Sequence, residues 1–169
     1  MAPVGRANAG GARMAAIKVE RRKPVKLAYI EHVGGYDEIP FQTYVERLYG
    51  WAKKARVRPG FYPLGVFYDS PDQTPPEECR SEIGIPITGE AAPEGDVRIR
   101  EMPAMDVAAL SFKGPSGEYR DAYRELSSWV SENGYEWAGP SIEAYTKKPE
   151  RVRGKTVMYA KIMAPVRRK

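Results

Sequence analysis

Two stretches of the chain carry the apolar spacing of an amphipathic helix. The first begins at Phe41 and the second at Tyr119, and in both the apolar positions follow i, i+4, i+7 and i+11, which places them on one face. A constant offset of 78 residues relates the matching positions: Phe41 and Tyr119, Val45 and Tyr123, Leu48 and Leu126, Ala52 and Val130, and Trp51 and Trp129. The pattern therefore predicts two helices that are copies of one another.

Short apolar segments flank both predicted helices and extend the repeat in each direction. They end in Gly- or Pro-containing turns, which is typical of strands. The related segments are 17–21 and 97–101, 27–36 and 107–116, 63–71 and 140–149, and 82–87 and 161–166. Each half of the chain is thus predicted as strand, strand, helix, strand, strand.

This duplication predicts an α+β fold. We expect a pseudo-twofold repeat of a β-α-β-β module, with antiparallel sheets, two main helices and a central groove. The repeats span about 17–90 and 95–166, joined by a loop at 88–96. A half of about 75 residues buries a core only with difficulty, so the halves should share one, and a cleft between related halves is a natural ligand site.

Composition places the chain among globular proteins, with 42% hydrophobic and 29% charged residues. Residues 1–16 are rich in Gly and Ala and are expected to be a disordered tail or a cloning remnant, with Met14 as an alternative start. No apolar run reaches the roughly 18–20 residues that cross a bilayer, and no secretory signal is present. We expect a cytoplasmic protein that does not bind membranes.

The single cysteine and single histidine limit the disulfide, catalytic and metal-binding chemistry that the chain could have. Cys79 is the only cysteine, so no intramolecular disulfide forms, which favours a reducing compartment. A hydrolase that pairs Cys79 with His32, the only histidine, is an open but disfavoured alternative. Metal-ligand spacing is absent, so neither a metal nor another cofactor is expected.

The net charge of +5 raises the question whether the protein binds nucleic acid. Much of the charge lies near 21–26 and at 167–169, and no helix-turn-helix or RNA-binding motif accompanies it. We interpret it as solvated strand faces and tails, and a direct nucleic-acid partner is not expected. A protein partner remains open, and the oligomeric state is not indicated.

The segment GPSIEAYTKK at 139–148 carries the candidate chemistry. Alternate strand residues share a face, so Glu143 and Tyr145 should point the same way. Aligning the two repeats on their prolines pairs three positions, which would occupy equivalent faces: Leu64 with Ser141, Val66 with Glu143, and Tyr68 with Tyr145. The second repeat thus has a carboxylate where the first has an apolar residue.

Three interpretations of Glu143 follow from the residues. It could balance the charge of a cationic ligand, with the rings of Tyr68, Tyr145, Trp129 or Trp137 stacked on the cation. It could be a general acid or base, with Tyr145 or Tyr68 orienting a water. It could also be an exposed surface residue. Tyr36 is expected either at the rim of the groove or in the hydrophobic core.

The ordered segments together resemble the family of GyrI-like small-molecule-binding domains. The residues that carry the resemblance are HVGGYDEI (32–39), PLGVFYDSP (63–71), EIGIPI (82–87), FKGPSGEYRDAYREL (112–126) and SIEAYTKKP (141–149), so it covers about 17–166. Related domains form the effector-binding half of AraC-type and MerR-type multidrug-responsive transcription regulators. The resemblance implies a stand-alone domain that binds apolar, cationic or aromatic molecules.

The resemblance also implies site residues. The acidic residue of the family's groove corresponds to Glu143, and Tyr145 follows it. We expect the groove to be lined as well by seven further ligand-binding residues: Leu64, Val66, Tyr68, Ser141, Trp129, Trp137 and Tyr36. Some family members resemble hydrolases of cyclopropane-containing compounds, in which case Glu143 and Tyr145 would be catalytic, and others inhibit topoisomerase as interaction modules.

Overall fold

The computed structural model describes residues 6–7, 13–14 and 16–169. In these residues the two α-helices and eight of the twelve strands follow one another in the predicted order. Two further short strands precede them, and one short extra strand follows each helix. The elements are β1 (Arg6–Ala7), β2 (Arg13–Met14), β3 (Lys18–Arg22), β4 (Val25–Val33), α1 (Phe41–Ala55), β5 (Arg58–Pro59), β6 (Leu64–Phe67), β7 (Arg80–Thr88), β8 (Arg98–Met102), β9 (Met105–Gly114), α2 (Tyr119–Glu132), β10 (Tyr135–Trp137), β11 (Ser141–Val152) and β12 (Lys155–Arg168). The strand pairings between them are antiparallel, so the predicted α+β fold is confirmed.

The chain divides into two compact units. One unit is Lys23–Ala104, where the strand order is β6-β7-β4-β8 and β5 also pairs with β7. Helix α1 covers one face of this sheet, and its Leu48, Trp51 and Ala52 pack on Ile83 and Ile85 of β7. The helix is capped by Arg56, which has a left-handed conformation and whose backbone N–H donates to the carbonyl of Lys53.

The other unit combines the N-terminal segment up to Arg22 with Met105–Lys169. Its strand order is β1-β2-β9-β12-β11, with β3 also paired to β9 and β10 to β12. Helix α2 packs Ala122, Leu126 and Val130 on the sheet. The apolar spacing that predicted both helices therefore identifies their core-facing stripes.

The compact units do not coincide with the two sequence repeats predicted at about 17–90 and 95–166. Strand β3, which opens the first repeat, pairs with β9 of the second, whereas β8, which opens the second repeat, pairs with β4 of the first. The unit boundaries therefore fall at residues 22 and 104, after each of these opening strands. A repeat boundary reflects sequence similarity, and strand pairing need not follow it.

The strand registers revise the alignment of Val66 with Glu143. Val66 lies opposite Glu82, on the face of β7 that points away from the Ile83 and Ile85 packed under α1. Glu143 instead lies opposite Ile162, which belongs to the core under α2. The two faces are therefore not equivalent, because an alignment that is one residue out exchanges the two faces of a strand.

The structure describes only part of the predicted N-terminal tail, and it also bears on the expectations about membrane-spanning helices and metal sites. Most of the predicted tail at 1–16 lies outside the described residues, although β1 and β2 fall within it and pair with each other. No helix in the described part of the chain is long and apolar enough to span a membrane. Within those same residues there is no group of His, Cys, Asp and Glu that could hold a metal ion.

Candidate functional site

Glu143 is a buried carboxylate between the sheet and helix α2. It lies in β11, its side chain faces α2, and only 7% of the residue is exposed. The hydroxyl of Tyr123 donates a hydrogen bond to its Oε2 at 2.5 Å, and the hydroxyl of Tyr145 donates to its Oε1 at 3.1 Å. The interpretation of Glu143 as an exposed surface residue is therefore wrong.

Two tyrosines lie one turn apart on α2 on the side that faces this carboxylate, and one of them, Tyr123, bonds to it. Residues i and i+4 of a helix share a face, so Tyr119 and Tyr123 both point at the sheet. The hydroxyl oxygen of Tyr123 also lies 3.3 Å from Oγ of Ser141. The ring of Tyr119 stacks on that of Phe112, with ring centroids 4.5 Å apart. The hydroxyl of Tyr119 is buried and has no hydrogen-bond partner among the described residues.

We call Glu143, Ser141, Tyr119, Tyr123 and Tyr145 the Glu143 cluster. Burial raises the pKa of the Glu143 carboxyl above its usual value, and the two phenol hydrogen bonds only partly oppose that effect. Burial, followed by the nearby Glu143 charge, raises the pKa of all three tyrosines, so they remain hydrogen-bond donors. No Lys or Arg of the described segments forms an ion pair with Glu143.

A second buried carboxylate, Glu82, lies in the Lys23–Ala104 unit, and it has a cation. It is 7% exposed and accepts a hydrogen bond from the Tyr68 hydroxyl at 2.9 Å. Nη2 of Arg100 donates to the same oxygen at 2.6 Å, and the guanidinium lies over the ring of Tyr29, 5.3 Å from its centroid. We call these four residues the Glu82 cluster.

The two clusters share a chemical plan and differ in charge balance. Each has a buried glutamate that accepts a hydrogen bond from a phenol, and the Glu82 cluster encloses a guanidinium that rests on an aromatic ring. The Glu143 cluster offers three phenol rings and an acid without such a cation. The Glu143 cluster therefore contains a buried acid that no Lys or Arg of the described residues balances.

The other predicted site residues lie in several environments. Leu64 and Val66 are buried apolar residues of β6, and Tyr68 follows them with its hydroxyl on Glu82. Burial, reinforced by Glu82, raises the pKa of Tyr68 to about 12. Tyr36 contacts backbone atoms of Asp69 and Arg80 and packs edge-on against Phe67.

The two tryptophans pack beside the core under α2. Trp129 stacks on Tyr135 with ring centroids 6.0 Å apart, and Trp137 lies in β10 against the same core. Neither tryptophan is among the hydrogen-bond partners of Glu143 in the described residues. The structure thus brings together Glu143, Tyr145 and Ser141 of the predicted site, and the ligand-binding roles of all nine residues remain predictions.

Five residues of these clusters were missed from the sequence: Tyr119, Tyr123, Glu82, Arg100 and Tyr29. Tyr119 and Tyr123 were assigned to the core stripe of α2, and two hydroxyls on a core-facing stripe were the available signal, because buried phenols need partners. Glu82 stands in the apolar run EIGIPI, where a carboxylate is as unusual as at Glu143. Nothing in the sequence singles out Arg100 as its partner.

A duplicated α+β domain with a buried, phenol-bound acid has the features of a small-molecule-binding domain. The GyrI-like small molecule binding domain family matches residues 15–167, and the chain belongs to that family. The resemblance read from the sequence is therefore confirmed, as is the relation to the effector domains of transcription regulators.

Relatives and solved structures agree with this assignment. The chain is 24% identical over 133 residues to the SPbeta prophage-derived putative transcriptional regulator YosT of Bacillus subtilis, covering 78% of this chain and 89% of YosT. The EcmrR C-terminal domain superposes with a TM-score of 0.75 at 17% identity, over 90% of this chain and 98% of that domain. SAV2435, solved bound to tetraphenylphosphonium, has a TM-score of 0.53 at 13% identity, covering 89% of this chain and 93% of that one.

Proposed function

We propose that this domain binds apolar organic cations, and that Glu143 supplies the balancing negative charge. The observation that carries the proposal is a buried carboxylate held by two phenol hydrogen bonds and paired with no Lys or Arg among the described residues. A buried charge without a counter-ion is costly, and a bound cation removes that cost.

The Glu82 cluster supports the proposal from within the same chain. There a glutamate, a phenol and an aromatic face surround the guanidinium of Arg100, so the chain already pairs these groups with a delocalised cation of its own. The Glu143 cluster presents the same groups without an internal cation. Its phenol rings offer the stacking surface that an aromatic or quaternary cation requires.

Access to Glu143 depends on the tyrosines of α2. Tyr119, Tyr123 and Tyr145 are half-buried, and the phenols of Tyr123 and Tyr145 bond to Glu143 in the space between α2 and the sheet. A bulky ligand must therefore displace at least one phenol from the carboxylate. Such a site favours ligands whose rings replace the contacts of the displaced tyrosine. The binding of tetraphenylphosphonium by SAV2435, which shares the fold, makes that cation a suitable first probe.

Isothermal titration calorimetry with tetraphenylphosphonium tests the proposal, with neutral triphenylphosphine oxide as the uncharged analogue. Wild type should bind the cation more tightly than the analogue, and Glu143→Gln should weaken cation binding at least tenfold. Glu82→Gln is the matched control, because Glu82 is equally buried and also accepts a bond from a tyrosine. Equal affinity of wild type and Glu143→Gln for the cation would overturn the proposal.

The same titration separates the other functions that the sequence left open. A hydrolase would consume a reactive electrophile, and analysis of the ligand after incubation would then show a product that Glu143→Gln fails to form. An interaction module would leave both cation and electrophile unbound and unchanged.

A further inference from the structure

The end of the β11–β12 hairpin concentrates positive charge. Residues 146–157, which we call the basic ribbon, contain five Lys or Arg residues and one Glu, a net charge of +4 in a chain whose total is +5. All of these residues are exposed except Glu150 and Val157, which are half-buried. This twelve-residue segment is therefore one of the most positively charged parts of the chain.

The basic ribbon extends beyond the sheet of its own unit. The pairing of β12 with β9 ends at Met158 and Gly114, whereas β11 and β12 continue to pair with each other as far as Val152 and Lys155. The turn between them has positive φ at both Arg153 and Gly154, as in a tight two-residue hairpin turn. The result is a narrow two-stranded ribbon.

The cations of the ribbon are largely free of internal partners. Lys148, Arg151, Arg153 and Lys155 form no ion pair with another residue in the described ranges, whereas Lys147 pairs with Glu150. Clustered like charges repel one another, so this arrangement lowers stability unless an anionic partner compensates it.

Cations lie on both faces of the ribbon. Arg151 pairs with Thr156 and Val152 with Lys155, and successive residues of a strand point to opposite faces, so Arg151 and Lys155 project in opposite directions. At the base of the ribbon, Lys113 and Lys147 both lie over the ring of Tyr159, at 5.6 and 5.0 Å from its centroid. Charge on two faces suits a partner that surrounds the ribbon.

We propose that the basic ribbon binds the phosphates of double-stranded DNA by entering the major groove. That groove is about 12 Å wide and admits a two-stranded ribbon, and phosphates line both of its edges. A flat anionic membrane would meet only one face of the ribbon, and residues 146–157 contain no aromatic anchor for a bilayer. This activity is separate from ligand binding at Glu143. It differs from the sequence-based expectation of no direct nucleic-acid partner, which considered the cations near 21–26 and at 167–169 and not those of the ribbon.

Fluorescence anisotropy with a labelled 20-base-pair DNA duplex, between 50 and 200 mM salt, tests the proposal. Wild-type affinity should fall steeply with salt. In the triple variant Lys148→Gln, Arg151→Gln, Lys155→Gln, the slope of log affinity against log salt should decrease by about 0.9 for each phosphate that is no longer neutralised, or about 2.7 in total. This variant leaves the Arg153–Gly154 turn intact, and a melting curve confirms that it is folded.

Two controls distinguish the ribbon from general charge attraction. The variant Lys23→Gln, Lys53→Gln, Arg58→Gln removes the same charge from exposed sites elsewhere and should keep the wild-type slope. The exchange Lys148→Arg, Arg151→Lys, Lys155→Arg keeps the charge and should retain binding.

Three results would overturn the proposal: an equal drop in affinity for both charge-removing variants, no wild-type binding at 50 mM salt, or binding to phosphatidylserine vesicles without binding to the duplex. Binding to double-stranded RNA as tight as to DNA would overturn groove entry, because the A-form major groove is too narrow for a ribbon.

Discussion

The phenol oxygen of Tyr123 in α2 lies 2.5 Å from Oε2 of Glu143 in β11, so a helix and a strand meet at one buried hydrogen bond. Because the oxygen is a carboxylate in an apolar setting, this contact should be stronger than a hydrogen bond between neutral groups. It ties the position of α2 to the charge of Glu143. Anything that binds or neutralises Glu143 should therefore also affect the helix.

Removing that hydrogen bond gives a direct test of its energy. Tyr123→Phe retains the ring, deletes the hydroxyl, and leaves Glu143 with the hydrogen bond from Tyr145. We expect the free energy of unfolding in urea to fall by about 1.5–3 kcal/mol, the range for hydrogen bonds to charged groups. Tyr135→Phe is the control, because its ring stacks on Trp129 and its hydroxyl bonds to none of the described residues. Equal decreases in the two variants would show that the Tyr123 hydroxyl contributes nothing specific.

The stability of the protein should depend on pH through Glu143. Burial raises the pKa of Glu143 in the folded state above its ordinary value of 4.5, so over the interval between the two pKa values the folded state binds more protons than the unfolded state. Stability attributable to Glu143 is therefore fully present below about pH 4.5 and is lost as pH rises through the folded pKa. The slope should be at most about 1.4 kcal/mol per pH unit.

Urea unfolding of wild type and Glu143→Gln between pH 4.5 and 8 measures this effect. The difference in unfolding free energy between the two proteins should shift steadily in favour of the variant as pH rises. A difference that is constant across this range would mean that Glu143 titrates normally. An organic cation favours the ionised carboxylate, so its affinity for wild type should rise with pH over the same window.

The ion pair between Arg100 and Glu82 should be more important to stability than the surface pairs. Arg100→Met leaves the buried Glu82 carboxylate without a cation, which costs about 3–5 kcal/mol for fully buried pairs. Because 30% of the Arg100 side chain is exposed, we expect about 2–3 kcal/mol by urea unfolding. Arg98→Met, which breaks an exposed pair with Glu31, should cost less than about 1 kcal/mol.

The Arg100→Met variant also tests how a cation is held. Millimolar methylguanidinium should raise the melting temperature of Arg100→Met more than that of wild type, since it replaces the guanidinium on Glu82 and Tyr29. Adding Glu82→Gln to the variant should abolish this rescue. If methylguanidinium affects all three proteins alike, the Glu82 cluster does not provide a cation site.

Gly84 and Gly50 should respond in opposite ways to substitution by alanine. A Cβ at Gly84 would lie 2.8 Å from the carbonyl oxygen of Ala28 and 2.9 Å from Cδ1 of Leu27, so Gly84→Ala should lose about 1–3 kcal/mol of stability. Gly50 lies within α1 with open space around it, so Gly50→Ala should gain about 0.5–1 kcal/mol. Thermal melts of both variants check the prediction, and a stabilised Gly84→Ala would contradict the close packing of β4 and β7.

The sequence alone determined both α-helices, the strands of the repeat and the family, although not the four short strands β1, β2, β5 and β10. The helices starting at Phe41 and Tyr119 follow from a periodicity set by local helix geometry, and the repeat supplied the strands on either side. Glu143 was singled out by the alignment of the repeats, which paired it with the apolar Val66, and by the family resemblance; the strand registers do not support that pairing. The helices and strands are properties of neighbours in sequence, which local steric and burial preferences specify.

Only the tertiary structure decided which groups meet. Strand register is set by pairing between distant segments, and a single residue of offset moved Leu64, Val66 and Tyr68 to the face opposite the one equivalent to Glu143. The exchange of β3 and β8, the phenol of Tyr123 on Glu143, and the guanidinium of Arg100 on Glu82 likewise depend on contacts between residues far apart in the chain. No local preference encodes such contacts, because their energy appears only when the sheets and helices pack.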